Sequence, residues 1–110
     1  MLNAPQNRKK TTILLVDDHA LLRRGLADLI KYEVDLEVIG EAADGEAAIT
    51  AAERLNPDVI VMDLMMPVMD GVEATRRIKA TMPETKILIL TTFGTSADVA
   101  RVGGSPFFLA

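Results

Sequence analysis

The sequence predicts an α/β fold in which a doubly wound parallel sheet carries helices on both of its faces. Stretches typical of strands and of helices take turns along the chain and are joined by short loops, as expected for right-handed β-α units. The apolar runs at 13–16, 59–62 and 87–90 are continuous rather than alternating, which is typical of parallel strands buried on both faces. The 110 residues suit one domain, which we assign to 12–110 after a flexible tail at 1–11.

The first half of the chain supplies two strands and two helices. A β-rich run over Thr12–Asp18 ends on two acids, and apolar residues at helical spacing then predict a helix over His19–Lys31. Leu36–Ala42 is the second predicted strand. An alanine-rich helix follows the turn at Asp44–Gly45 and stops at Asn56–Pro57.

The second half continues the alternation. A third strand is predicted over 58–63, a third helix over Gly71–Met82 and a fourth strand over Lys86–Thr92. A fourth helix is predicted over Thr95–Val102, followed by a short fifth strand that reaches Ala110. The final helix of such a fold is expected to be missing, so the domain is expected to be incomplete at its C-terminus.

Composition excludes several classes of protein. The net charge of −4 argues against a domain that grips nucleic acid by itself. No apolar run is long enough to span a membrane, and the first ten residues lack the apolar segment of a signal peptide. The absence of cysteine excludes disulfides and thiolate metal sites and fits a reducing cytoplasm.

Polar residues follow three of the predicted strands, at the ends that would meet at one edge of the sheet. Asp17 and Asp18 end the first strand, Asp63 ends the third, and Thr91 closes the fourth. Ligand sites in such sheets gather at the carboxyl ends of the strands. Clustered carboxylates are costly without a cation, and an oxygen-only site suits Mg²⁺. The residues therefore indicate metal-assisted phosphoryl transfer onto a carboxylate.

Three stretches resemble the receiver domain of two-component response regulators. They are "LLVDDH", "VIVMDLMMPVMDGVEATRRI" and "ILILTTF", and the resemblance covers Thr12 to Ala110. The D-x-x-M-P-x-x-D-G motif that begins at Asp63 is highly specific, and the branch most resembled carries a helix-turn-helix output domain. The resemblance implies a flavodoxin-like fold with strand order 2-1-3-4-5 and a domain that catalyses its own phosphorylation rather than a turnover enzyme.

The same resemblance implies roles for four residues at the metal and phosphate site. Asp63 would be the phosphoacceptor, charged by a partner sensor histidine kinase in a Mg²⁺-dependent reaction. Asp18 would bind Mg²⁺ directly and Asp17 mainly through water, and the backbone carbonyl of Met65 would complete the protein ligands. Contact with DNA would require an output domain that this chain does not include.

Further roles concern the loop and the switch. Pro67 and Gly71 would shape the loop after Asp63. Thr91 would be the switch hydroxyl that moves toward the phosphoryl group, and Phe107 matches the aromatic residue whose rotamer follows it. The fifth strand of the family ends in a lysine, in a context like "G-x-S-G-F-x-x-K", whereas this chain has "GGSPFFLA" with Ala110 at that place. Switching is therefore expected to be impaired.

The missing final helix leads to an expectation about assembly. Apolar residues on one side of the fourth and fifth strands would lie open to water, among them Leu88, Leu90, Phe107 and Leu109. Such a patch predicts self-association through the C-terminal third of the chain.

Two other functions stay open beside the receiver interpretation. An aspartyl phosphatase of the haloacid-dehalogenase type needs a second acid two residues after its nucleophile, and Met65 occupies that position. A receiver-like interaction module that is never phosphorylated is the main alternative, because the lysine is missing.

His19, the single histidine, is predicted to be a helix-start residue that faces outward.

Overall fold

The computed structural model describes residues 9–90 in full and the backbone of 107–109. Its elements alternate as predicted. They are β1 Thr11–Val16, α1 Ala20–Ile30, β2 Leu36–Ala42, α2 Gly45–Leu55, β3 Val59–Asp63, α3 Gly71–Thr81, β4 Lys86–Leu90 and β5 Phe107–Leu109.

The strands form one sheet in the order β2-β1-β3-β4-β5, which confirms the predicted order. Strands β1 to β4 are parallel to their neighbours. Val16 pairs with Met62, and Asp63 pairs with Leu90, so the carboxyl ends of β1, β3 and β4 meet at one edge of the sheet. This edge is where the sequence predicts the functional site.

The register of β1 against β3 is fixed at the opposite edge by a clasp between Thr12 and Asp58. The N–H of Thr12 donates to Asp58 Oδ2 (2.9 Å), and the N–H of Asp58 donates to the Oγ1 (2.9 Å) of Thr12. Because the two strands are held in step at their start, they end together and deliver their acids to the same place.

Strand β5 runs antiparallel to β4, whereas the predicted fold had it parallel. Leu90 pairs with Phe107 and Leu88 with Leu109. An antiparallel neighbour can start at the edge where β4 ends, without a crossover to the opposite edge of the sheet. The helix predicted over Thr95–Val102 lies outside the described residues.

The two faces of the sheet are covered unequally. Leu14, Ile60 and Ile87 face α2 and α3 and belong to a fully buried core cluster. On the opposite face, α1 has no buried residue, and Leu88 and Leu90 are half-buried. Four apolar side chains of β4 and β5 were expected to lie open to water, and the two of these that the structure describes, Leu88 and Leu90, are partly so.

The helix boundaries follow the signals seen in the sequence. The side chain of Asp44 caps α2 by accepting from the N–H of Ala47 (2.8 Å), and Asp70 caps α3 in the same way from Glu73 (3.0 Å). Asn56 ends α2 in the left-handed conformation (φ 48°). Within residues 9–90, no helix has the length and apolar character needed to cross a membrane.

Candidate functional site

Three acids converge at the carboxyl edge of the sheet. Asp17 follows β1, Asp63 ends β3, and both are buried, whereas Asp18 is exposed. One ligand atom from each of these acids and one from His19 all lie within 4.8 Å of one another. The structure therefore brings together the acids that the sequence predicts to meet.

The start of α1 is tied to the end of β1. The N–H of His19 donates to Asp17 Oδ1 (2.7 Å), and the Arg23 guanidinium donates to the main-chain oxygen of Asp17. Arg23 also donates from Nε to Glu41 Oε1 (2.9 Å) just before the end of β2. These bonds hold the Asp17 carboxylate at the site through its own backbone and through the first turn of the helix.

Burial and like charge oppose ionisation of Asp63. Burial raises the pKa of Asp63 to about 6, and the negative charges of Asp17 and Asp18 act in the same direction. The N–H of Met65 opposes this rise by donating to Asp63 Oδ1 (3.3 Å). Asp63 is thus a carboxylate whose charge a bound cation would stabilise.

Gly71 allows the loop after β3 to fold closely over the strand end. Its N–H donates to the oxygen of Leu64 (2.9 Å), and a Cβ at this position would lie 2.1 Å from the main-chain oxygen of Asp63. Any larger residue would push the loop away from the acid. The position suits the loop-shaping role that the sequence predicts for Gly71.

Pro67 begins a tight turn in the same loop. Its oxygen accepts from the N–H of Met69 (2.7 Å), and Val68 between them has a φ of 69°. A positive φ is strained for a β-branched residue, so the neighbouring contacts must hold this turn in place. Met66 and Met69 pack against the buried core on one side of the loop.

Gly45, which was predicted only as part of a turn, also supports this loop. The N–H of Gly45 donates to the oxygen of Met69 (3.0 Å), and a Cβ on Gly45 would lie 2.3 Å from that oxygen. The start of α2 therefore braces the loop after β3 from outside. The sequence signal was the Asp44–Gly45 pair, but nothing local reveals its partner 24 residues later.

His19 lies at the start of α1, as predicted, but its ring is turned toward the acids. It is the residue just before the first helical turn and makes no side-chain cap bond. Its Nδ1 lies 3.0 Å from Asp17 Oδ1 and 3.1 Å from Asp18 Oδ1. The hydrogen bond to Asp17 and the charge of Asp18 raise the pKa of the imidazole.

The predicted switch residues fall outside the part of the chain whose side chains are described. Thr91 follows Leu90, the last residue of β4, and Phe107 is placed by its backbone alone, where it pairs with Leu90. The backbone of Phe107 is thus at the carboxyl edge, and β5 leads away from that edge toward Leu109.

Comparison with known proteins agrees with this geometry. Residues 13–104 match the model of the response regulator receiver domain. The response regulator protein VraR of Staphylococcus aureus is 47% identical over 89 residues, which are 81% of this chain and 43% of VraR. The chain thus spans less than half the length of such curated relatives.

Solved structures give the same result. A LuxR-family two-component response regulator from Aurantimonas superposes with a TM-score of 0.79 at 37% identity, covering 88% of this chain and 71% of that one. The response regulator domain of Thermotoga maritima CheB has a TM-score of 0.78 at 34% identity, over 86% of this chain and 72% of that one. The LuxR-family relative supports the predicted branch, the one with helix-turn-helix output domains.

The match covers most of the chain, and the described sheet, its strand order and its three acids agree with it. This chain belongs to the receiver-domain family of response regulators.

Proposed function

We propose that this domain accepts a phosphoryl group on Asp63 from a partner histidine kinase in the cytoplasm, in a Mg²⁺-dependent reaction. The observation that carries the proposal is the position of Asp63, a buried acid at the end of β3 within 4.8 Å of the other ligand atoms of the cluster. A buried carboxylate surrounded by like charges is stabilised by a cation, and the same cation would also offset the negative charge of the incoming phosphoryl group.

Asp63 is the nucleophile in this proposal. With its pKa raised to about 6, the carboxylate is mostly ionised at pH 7.5 and can attack. The Met65 N–H holds Oδ1, which leaves Oδ2 to form the new bond to phosphorus. The bond between phosphorus and the kinase imidazole nitrogen breaks, and that nitrogen keeps the electron pair.

The donor set suits Mg²⁺. Asp18, Asp63 and the main-chain oxygen of Met65 would hold the ion directly, and Asp17 would hold it through water. All of these are hard oxygen donors, which Mg²⁺ prefers, and a site with few protein ligands leaves positions for water and phosphate oxygens. When bound, Mg²⁺ supplies neutralisation of the carboxylates and of the transferring phosphoryl group.

The conformational change that follows phosphorylation is expected to be impaired in this chain. With Ala110 in place of the lysine, the phosphoryl group lacks one charge-assisted contact, typically worth about 1.5–3 kcal/mol. A bound group shifts the equilibrium between two conformations only by the difference in its affinity for them. The rearrangement of Thr91 and Phe107 is therefore poorly driven. DNA recognition would belong to an output domain beyond this chain.

Intact-protein mass spectrometry after incubation with acetyl phosphate and Mg²⁺ tests the proposal. The parent chain should gain one phosphoryl group, and Asp63→Asn should gain none. Asp28→Asn is the matched control, because Asp28 is an exposed acid on α1 whose partner in the structure is Lys31. If Asp63→Asn is labelled as fully as Asp28→Asn, Asp63 is not the acceptor.

The second candidate is a receiver-like interaction module that is never phosphorylated. Ala110 in place of the lysine is the observation that favours it. A parent chain that binds Mg²⁺ but gains no phosphoryl mass from any donor would support this second function.

A further inference from the structure

The proposed phosphoacceptor chemistry leaves one side chain of the acidic pocket without a role, the imidazole of His19. The imidazole offers a ligand atom to the same cluster as the three carboxylates. It contacts Asp17 and Asp18 at once, with Nδ1 3.0 Å and 3.1 Å from one oxygen of each. The oxygen donors of the pocket are thus joined by one nitrogen donor.

We propose that His19 Nδ1 is a metal ligand, and that the pocket consequently prefers a first-row transition-metal ion, from Mn²⁺ to Zn²⁺, over Mg²⁺. The inference rests on the proposed function, because it concerns the ion held at that same site. It adds a ligand to the site and names the class of ion that the site selects.

The distances around Nδ1 suit a shared ion. Bonds of about 2.1 Å at right angles place neighbouring ligand atoms about 3.0 Å apart. The separations of Nδ1 from Asp17 Oδ1 and Asp18 Oδ1, 3.0 Å and 3.1 Å, have this value. Nδ1 and Asp18 Oδ1 can therefore form adjacent corners of one coordination shell without moving the backbone, with Asp17 still reaching the ion through water.

The backbone of His19 is fixed in a way that keeps the ring at the pocket. Its N–H donates to Asp17 Oδ1 (2.7 Å), and its main-chain oxygen accepts from the N–H of Arg23 (3.0 Å) in the first turn of α1. Ring and backbone thus both approach Asp17. A ligand that is held in advance loses less conformational freedom when the ion binds.

The chemistry of the donors then decides the preference. Mg²⁺ takes oxygen ligands and keeps its waters, so a neutral imidazole adds little to its binding. Imidazole is a good ligand for Zn²⁺, Cu²⁺, Fe²⁺ and Ni²⁺, and affinity for such sites rises from Mn²⁺ towards Cu²⁺. A site of carboxylates alone would discriminate less between Mg²⁺ and these ions than a site with one imidazole.

The same short distances also fit a protonated imidazole that only hydrogen-bonds the two acids. The two arrangements differ in what happens when metal is added. A ligand nitrogen stays at the ion, whereas a purely hydrogen-bonding ring is displaced by it or is unaffected.

The chain is suited to a direct test because it has a single histidine. Nitrogen-15 NMR of histidine-labelled full chain at pH 8 reports Nδ1 and Nε2 of His19 alone. We expect Zn²⁺ to move the Nδ1 resonance strongly and Mg²⁺ to leave it nearly unmoved. A Zn²⁺ titration that leaves Nδ1 in place, or that moves only Nε2, overturns the proposal.

Calorimetric titrations with Co²⁺ and Mg²⁺ give the second readout. His19→Gln keeps a polar side chain without imidazole and should weaken Co²⁺ binding about tenfold or more, while Mg²⁺ binding changes less than about twofold. Equal weakening of both ions would assign His19 a structural role and contradict the proposal. Asp63→Asn should weaken both ions together, and Co²⁺ binding that survives this change would place the ion elsewhere, which also contradicts it.

These outcomes separate the inference from the function beneath it. A parent chain that is phosphorylated with Mg²⁺ but shows no Nδ1 ligation retains the proposed function and loses this inference. A parent chain that binds Co²⁺ through Nδ1 but is never phosphorylated supports the inference and contradicts the function. A parent chain that binds neither ion overturns both.

Discussion

Asp63 is ionised at neutral pH in a place where burial opposes its charge. The folded domain holds its pKa at about 6, against 3.8 for the unperturbed group. Between these values the folded chain binds more protons than the unfolded chain, so this group makes stability fall as the pH rises from about 4 to 6. The same unfavourable charge favours the binding of a cation at this site.

Asp63→Asn should therefore stabilise the domain at pH 7.5 in the presence of a chelator. The raised pKa corresponds to a gain of about 2–3 kcal/mol in the free energy of unfolding, which should shrink toward zero at pH 4, where the parent carboxyl is protonated. Urea denaturation at both pH values measures the difference, and Asp28→Asn should show no comparable gain. An equal gain at both pH values would mean that the negative charge of Asp63 does not lower the stability of the folded domain.

Adding Mg²⁺ should reverse the order of these two proteins. An ion that binds only the folded parent stabilises it by RT ln(1 + c/Kd), where c is the concentration of free Mg²⁺, whereas the Asn variant lacks a ligand carboxylate. The midpoint of urea denaturation with increasing Mg²⁺ should rise for the parent and stay nearly constant for Asp63→Asn. A parallel rise in both would place the ion outside this pocket.

At the scale of elements, the loop after β3 is supported by Gly45 and Gly71, which lie against the backbone of Met69 and Asp63. Gly25, Gly45 and Gly71 allow this to be tested within one chain. Gly45→Ala places a Cβ 2.3 Å from the oxygen of Met69, and Gly71→Ala places one 2.1 Å from the oxygen of Asp63. Both changes force backbone to move at the site.

We expect Gly45→Ala and Gly71→Ala each to cost at least about 2 kcal/mol in the free energy of unfolding. Gly25→Ala is the control, because its Cβ meets nothing within 4 Å on α1, and alanine there should stabilise by about 0.5–1 kcal/mol. Chemical denaturation of the three variants gives the comparison. If Gly45→Ala is as harmless as Gly25→Ala, α2 does not brace the loop.

The direction of β5 makes a further prediction about switching. Because β5 leads away from the carboxyl edge, Ala110→Lys should not restore the contact that the family lysine makes with the phosphoryl group. With beryllofluoride as a phosphoryl mimic, the amide resonances of Thr91 and Phe107 should move little in the parent and in this variant. Large shifts that appear only in Ala110→Lys would indicate a parallel fifth strand that carries the lysine to the site.

The elements show which parts of the fold the sequence encodes locally. Caps and periodicity predicted all three described helices to within one residue at each end, since the predicted flanks of α1, His19 and Lys31, are its cap residues. The three continuous apolar runs predicted parallel strands, and the acids at the ends of the first and third strands predicted the site. These signals lie within a few residues of one another.

Two of the features that the sequence did not reveal depend on partners far along the chain. The clasp of Thr12 with Asp58 and the contact of Gly45 with Met69 join residues 46 and 24 positions apart. The orientation of the His19 ring depends on Asp17, because Asp17 Oδ1 accepts from the N–H of His19 and also contacts its Nδ1. The antiparallel direction of β5 has no signal in the pattern of its strand.

At the scale of the whole molecule, the two faces of the sheet are unequal. The face under α2 and α3 is closed by buried side chains, whereas on the other face Leu88 and Leu90 are half-buried and Leu29 of α1 is 68% exposed. Apolar surface of this kind favours association. The predicted self-association through the C-terminal third of the chain would use this face.

Light scattering across a wide range of dilution should therefore report a dimer or a larger species that dissociates as the concentration falls. Leu88→Glu, on the half-buried face, should weaken the association more than Leu21→Glu, at an 84% exposed position near the start of α1. A monomer at every concentration would mean that this face is covered within a single chain.

Chemical localisation of the phosphoryl group tests the central claim most directly. Borohydride reduces an aspartyl phosphate to homoserine, so peptide mapping after treatment with acetyl phosphate identifies the residue that carried it. We predict homoserine at position 63, dependent on a divalent ion and absent when a chelator is present. Homoserine at Asp17, Asp18 or Asp70, with Asp63 intact, would contradict the assignment of Asp63 as the phosphoacceptor.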